Sequence, residues 1–329
     1  MNLSESINGG SEDKILKPAK VGFVPAILAL YDRISPKLRD MTVEFAKEVC
    51  HGLTSSNMEF EIADIVVNKE EMAEACEKLK AKDVDLLVVA HFSYSPSGEL
   101  SPALLDCDLP LVLWPVQPMD ELIAGEYDPL VVTQNHGVHG TMDLANILRR
   151  KGRCFGAIHG HWQNPLIKQS LESWAKAAKS VNAMKNSNPL VLGGRFQGML
   201  DLRLESESFI KQLNVSPTYI ENDDVLSIIN NVPAEEVQER KLLYRQQCDC
   251  DSDVSDEILE RTARLDVALR KVKDKHQSSA IAINFLEICN DKNIVDPFFV
   301  PVSILMSEGM GYAGEGDWET AMFMHGMQA

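Results

Sequence analysis

Two carboxylates and a group of histidines are the residues best placed to do chemistry. Glu287 closes the apolar run 280–286, an awkward position for an acid unless it points into a crevice. Glu315 stands between Gly314 and Gly316, which let backbone approach closely. Two glutamates on loops at strand ends suit a hard divalent ion such as Mn²⁺ or Mg²⁺, whose ligands are mainly oxygen. Asp317, with Glu319 following, has a separate structural role as the N-cap of a helix over 318–327. Five of the eight histidines (His91, His136, His139, His159 and His161) each sit at or just beyond the end of an apolar run. In parallel α/β sheets the carboxyl ends of the strands converge on a common crevice where ligands bind. Histidines collected there are candidate ligand contacts, with structural hydrogen bonding as the alternative role.

The elements that must position these residues alternate in type. Strand-like runs are expected at 21–24, 60–67, 85–92, 109–116, 130–133, 154–159, 189–192 and 279–286. Helical spacing falls between them, at 35–53, 69–82, 140–150, 165–184 and 223–231, and across 233–276 with an acidic break near 248–255. Nearly continuous apolar strands alternating with helices predict an α/β fold of two successive units, each a parallel sheet flanked by helices. The expected organisation is a flexible acidic tail over 1–17, an N-terminal α/β domain over 18–163, a middle α/β domain over 164–310, and the start of a further domain over 311–329.

The 329 residues carry 49 acidic and 32 basic side chains, a formal net charge of −17. Such a field repels phosphate backbones and anionic headgroups, so neither nucleic acid nor membrane is an expected partner. Seven scattered cysteines without a C-x-x-C pair indicate neither a disulfide scaffold nor a zinc ribbon, and fit a reducing, cytoplasmic setting.

Four motifs fail on context. Gly309, Gly311 and Gly314 spell a dinucleotide fingerprint, but the second strand and the later acid that it needs are missing. Gly193 to Gly198 has phosphate-loop spacing, yet Met199 and Leu200 replace the lysine and hydroxyl residue. Asp249, Asp251, Asp253 and Glu260 are spaced like calcium ligands, but Val254 stands where glycine must turn the loop. An acidic N-terminus for the following helix accounts for them better. Asn214-Val215-Ser216 is a glycosylation sequon that a cytosolic chain would not expose to the transferase.

The segment Gly311-Tyr312-Ala313-Gly314-Glu315-Gly316-Asp317-Trp318-Glu319-Thr320-Ala321 closely resembles the corresponding stretch of bacterial L-arabinose isomerases, which belong with the L-fucose isomerases. Asn135-His136-Gly137-Val138-His139-Gly140, Gly160-His161-Trp162-Gln163 and Gly194-Arg195-Phe196-Gln197-Gly198-Met199 agree in order. The resemblance implies an aldose–ketose isomerase working through a cis-enediol, with Mn²⁺ or another divalent cation between Glu287 and Glu315. One of these carboxylates would remove the proton next to the carbonyl and the other would return it to the neighbouring carbon. It also implies sugar contacts from His139, often across a subunit interface, and from His161 and Gln163, and hence a homo-oligomer.

Family isomerases continue past this motif into a largely β domain that supplies histidine metal ligands, whereas Ala329 lies about one helix past Glu315. His325 matches neither of those ligands, and 23–31 lacks the family's polar Gln-His pair. The chain is thus expected to hold the N-terminal and middle domains of such an isomerase, the C-terminal domain being absent. The alternative is a non-catalytic sugar-binding or regulatory homologue.

Overall fold

The computed structural model describes residues 17–121, 125, 128–203, 206–290 and 298–329. The expected tail, 1–17, lies outside these apart from Lys17. Two compact units part between Lys179 and Ser180, within a helix that begins just after the expected border at 163/164.

The first unit contains β1 (Ala19–Ala26), α1 (Ala29–Ile34), α2 (Pro36–Leu53), β2 (Met58–Ile62), α3 (Lys69–Lys80), β3 (Leu86–His91) and α4 (Ser97–Asp106). It continues with β4 (Leu111–Pro115), α5 (Pro129–Gln134), α6 (Gly137–Arg150), β5 (Gly156–Ala157) and most of α7 (Pro165–Lys185). Its five strands pair in parallel in the order β2-β1-β3-β4-β5. Side chains alternate across a strand, so the apolar runs of β1, β3 and β4 feed two cores. Val21, Phe23, Val88 and Trp114 face α2 and α7, while Val24, Leu87, Val89 and Leu113 face α3, α4 and α6. Burial on both faces is why these strands lack polar alternation.

The second unit contains β6 (Leu190–Leu192), α8 (Ser206–Leu213), β7 (Thr218–Ile220), α9 (Asn222–Asn230), α10 (Ala234–Gln247) and α11 (Asp256–Lys275). β8 (Ala280–Ile283), α12 (Phe285–Asn290), α13 (Phe299–Ser307), β9 (Gly311–Gly314) and α14 (Trp318–Met327) complete it. Its parallel order is β7-β6-β8-β9. Leu190, Leu192, Ile281 and Ile283 meet α9, α11 and α13 on one face; Val191, Ala280, Ala282 and Ala313 meet α14 on the other. The architecture is therefore the expected pair of parallel-sheet α/β units flanked by helices.

Three local expectations change. Residues 130–133 are helical in α5, because Asp128 accepts the Val131 N–H at 2.8 Å and Pro129 fills the first turn. The run ending at 286 is strand only as far as Ile283, after which α12 begins. Residues 311–314, which open the expected further domain, form edge strand β9. A Cβ on Gly311 would lie 1.9 Å from the Ala321 carbonyl, so α14 can pack this closely only against glycine.

Candidate active site

In the second unit the register aligns Leu192 with Ile283 and Ile283 with Gly314. The next residues, Gly193, Asn284 and Glu315, therefore emerge side by side at the carboxyl edge of three neighbouring strands. The chain leaves β6 toward β7 on one side and toward β8 and β9 on the other, so the strand order reverses between β6 and β8. That reversal is where loops diverge and parallel sheets open a crevice.

Asn284 occupies this position. It is fully buried, its N–H donates to the Leu192 carbonyl at 2.8 Å, and its Oδ1 accepts the Glu287 N–H at 3.4 Å. Its Nδ2 has no partner. Glu287 therefore sits on the first turn of α12, exposed, rather than on a strand-end loop. The spelling Asn284-Phe285-Leu286-Glu287 is that of a capping box. The reciprocal bond of such a box is not made, because the Asn284 N–H is already spent on Leu192.

Glu315 directly follows β9, half-buried, with φ +59°. Any residue with a Cβ tends to avoid this left-handed region, and a non-glycine residue held there is a strained one. What holds it is visible: the Phe196 N–H donates to the Glu315 carbonyl at 2.9 Å, and Gly316, at φ +77°, lies under Gly194. A Cβ on Gly316 would stand 2.1 Å from the Gly194 oxygen. Arg195 secures the same loop from the other side. It pairs with Glu319 at 2.6 Å, donates to the Leu202 carbonyl, and lies 5.9 Å from the Trp318 ring centroid. Burial works against its charge, but Glu319 and Tyr219 outweigh that and raise its pKa. The Tyr312 hydroxyl is also pushed up, by burial and then by the negative charge of Glu315. Asp317 caps α14 as expected, accepting the Thr320 N–H at 2.9 Å.

The first unit gathers its histidines at the carboxyl edge of its own sheet. His91 ends β3, fully buried, with no partner for either ring nitrogen. Burial lowers its pKa to about 4, against a weaker opposing pull from Asp143. The first turn of α6 lies on this ring: a Cβ on Gly140 would stand 2.6 Å from the imidazole and 2.8 Å from the Ser95 nitrogen. His136 and His139 sit on the outer side of that turn with ring centroids 4.5 Å apart. The pKa of His136 is lowered by burial and then by His139. His139 is exposed. His161 has Nε2 3.2 Å from the Pro118 carbonyl and accepts the Gln163 N–H on Nδ1 at 3.4 Å. These contacts define a tautomer protonated on Nε2. Gln163 and His159 are exposed. A cavity of about 760 Å³ opens beside this edge, lined by Phe92, Pro118, Gln134 and, from α2, Phe45, Glu48 and His51.

Glu287 and Glu315 thus belong to one sheet edge, and His139, His161 and Gln163 to the other. Carboxylate oxygens such as those of Glu287 and Glu315 are the donor type that hard divalent cations take. Among the described residues no group of three or more His, Cys, Asp or Glu is arranged to hold a metal ion. Sequence reasoning missed Asn284 as the residue at the strand reversal, although a polar residue directly after four buried apolar ones was its signal. It also missed that His91 is sealed inside.

The fold defines a class of proteins built from two parallel-sheet α/β units, with polar residues gathered at the carboxyl ends of the strands. Comparison with known families makes this specific. The model described as L-arabinose isomerase N-terminal domain matches residues 18–186, and that described as L-arabinose isomerase central domain matches 208–329. The chain belongs to the L-arabinose isomerase family. An L-arabinose isomerase of Vibrio parahaemolyticus is 23% identical over 96% of this chain and 64% of its own length. Those of Saccharophagus degradans and Shouchella clausii are each 23% identical, over 94% and 70% of this chain. The chain spans 62% and 47% of the length of these last two relatives.

Proposed function

We propose that the protein is an aldose–ketose isomerase of the L-arabinose/L-ribulose or L-fucose/L-fuculose type. The observation that carries this reading is the level ending of β6, β8 and β9, which brings Glu315 beside Asn284 and the first turn bearing Glu287. One carboxylate takes the proton from the carbon next to the sugar carbonyl, and the other gives a proton to the neighbouring carbon. The strained backbone at Glu315 fixes where its carboxylate begins, so little ordering remains for the reaction itself. Glu287 and Glu315 would hold Mn²⁺ or a similar cation, which when bound polarises the sugar oxygens and eases the developing negative charge. His139, His161 and Gln163 serve as sugar contacts in this reading.

A homo-oligomer in the cytoplasm suits the same reading. Exposed Val138 and Met142 on α6 and Leu166 and Trp174 on α7 offer apolar surface for a second copy. The six described cysteines are free, as a reducing compartment would keep them.

The test is ketose formation from L-arabinose and L-fucose with Mn²⁺ present, for the wild type and for Glu287→Gln and Glu315→Gln. Each substitution is expected to lower kcat by about 10²–10⁴-fold. Undiminished turnover in both variants overturns the assigned roles. A second reading, a non-catalytic sugar-binding or regulatory homologue, draws on the lack of a three-ligand group among the described residues. It requires saturable sugar binding that is indifferent to chelator and unaccompanied by turnover.

A further inference from the structure

Helices α3 and α4 lie side by side on one face of the first sheet. The seam is tied at one end by the Lys69 N–H on the Glu99 carboxylate at 3.1 Å, and at the other by the Lys80–Asp108 ion pair at 2.8 Å. Between the ties is a cavity of about 200 Å³, lined by Ala73, Cys76 and Glu77 from one side and Ala103, Asp106 and Cys107 from the other. Cys76 is buried and Cys107 half-buried. The two cysteines line this one small cavity from opposite sides of the seam, close enough for each thiol to perturb the other. Arg153 braces the same corner, donating to the Leu104 and Leu109 carbonyls on either side of Cys107.

We propose that Cys76 and Cys107 form a peroxide-sensitive dithiol that closes into an intramolecular disulfide across the α3–α4 seam. The chemistry is asymmetric. The neighbouring Cys76 thiol, the Leu109 N–H and the Arg153 charge together favour the Cys107 thiolate over its ordinary range, against burial and the Asp108 charge. The neighbouring Cys107 and its own burial keep Cys76 a thiol. A partly exposed thiolate beside a guanidinium is the one that reacts. The Cys107 sulfur attacks one oxygen of hydrogen peroxide and the O–O bond breaks. The departing hydroxide takes up the proton that Cys107 lost, leaving a sulfenic acid and one water. The Cys76 sulfur then attacks the Cys107 sulfur, the S–O bond breaks, and the second water leaves with the Cys76 proton. Two thiols lose two electrons in all, and one peroxide is reduced to two waters. The closed loop, 77–106, contains β3 with His91 and the Ser95 turn beneath α6, so oxidation would staple the segment that supports the histidine edge. The proposal is independent of the sugar reading.

The experiment treats the full wild-type chain with graded hydrogen peroxide under native conditions. Remaining thiols are alkylated, and the chain is digested without reductant and mapped by mass spectrometry. The expected product is a linked peptide pair containing Cys76 and Cys107, lighter by two hydrogens and resolved by dithiothreitol. It should form at peroxide doses that leave exposed Cys154 still alkylatable. In Cys76→Ser the sulfenic acid should persist at Cys107 and be trapped by dimedone. Oxidation of Cys107 no faster than Cys154 overturns the proposal, as does Cys76 remaining fully alkylatable after denaturation at every dose.

Discussion

A histidine with no exposed surface and no partner on either ring nitrogen must give up all solvation of its charge in order to bind a proton. That is the situation of His91, and it gives a pH prediction with a definite sign. The folded pKa, about 4, lies below the ordinary 6.5, so the unfolded chain binds the extra proton first as pH falls. Stability is therefore complete above about pH 6.5, declines toward pH 4, and levels off below that. The gap between 6.5 and about 4 corresponds to a loss on the order of 3 kcal/mol. Urea midpoints for the wild type and His91→Leu, compared between about pH 7 and pH 4, should show a steeper decline in the wild type. Parallel declines would mean that His91 does not take up the proton. The same residue shows what sequence could and could not convey. Its place at the end of an apolar run was legible, but whether the ring would face the crevice or the core depended on Gly137 and Gly140 forty-odd residues later in the chain.

At the scale of elements, the turn after β9 depends on one residue having no side chain. Gly316→Ala would place a Cβ 2.1 Å from the Gly194 oxygen at a φ of +77°, and the obstacle is backbone that cannot rotate away. A destabilisation of about 3 kcal/mol is expected, together with displacement of Glu315 and loss of any isomerase activity. Gly98→Ala is the matched control: it lies in the first turn of α4 with nothing within 4 Å of its Cβ. Its expected effect is between zero and about 1 kcal/mol of stabilisation. Equal losses in the two variants, read from denaturant titrations, would contradict this account. Doubly buried strands such as β3 and β4 were legible because an apolar run of that length has few other homes. Three-residue β7 and glycine-rich β9 were not, since their pairing comes from neighbours and not from their own composition. At α5 a cap outweighed a β-branched run, and at α12 the chain turned helical as soon as Asn284 supplied one.

At the scale of the molecule, the excess of 17 negative charges is a uniform strain on the folded state. Most of the exposed ion pairs, such as Lys47–Glu44 and Lys78–Glu74, contribute little individually. Screening the net repulsion should matter more. Raising sodium chloride from about 20 mM to about 150 mM shortens the screening length from roughly 20 Å to about 8 Å. The thermal midpoint is expected to rise by a few degrees, read by calorimetry; a fall would show that specific ion pairs dominate instead.

The parallel pairing of both sheets also bears on how the chain is made. No neighbouring strands in either sheet can meet until the helix between them has been synthesised, because parallel strands need a crossover. The first unit is one continuous stretch, so it can complete its sheet on the ribosome while the second is still being translated. β8 must wait for β9 across α12 and α13, so Glu287 is exposed to the cell well before Glu315 arrives beside it. During that interval the side of β8 that will pair with β9 is an open strand edge, the kind that other chains can pair with.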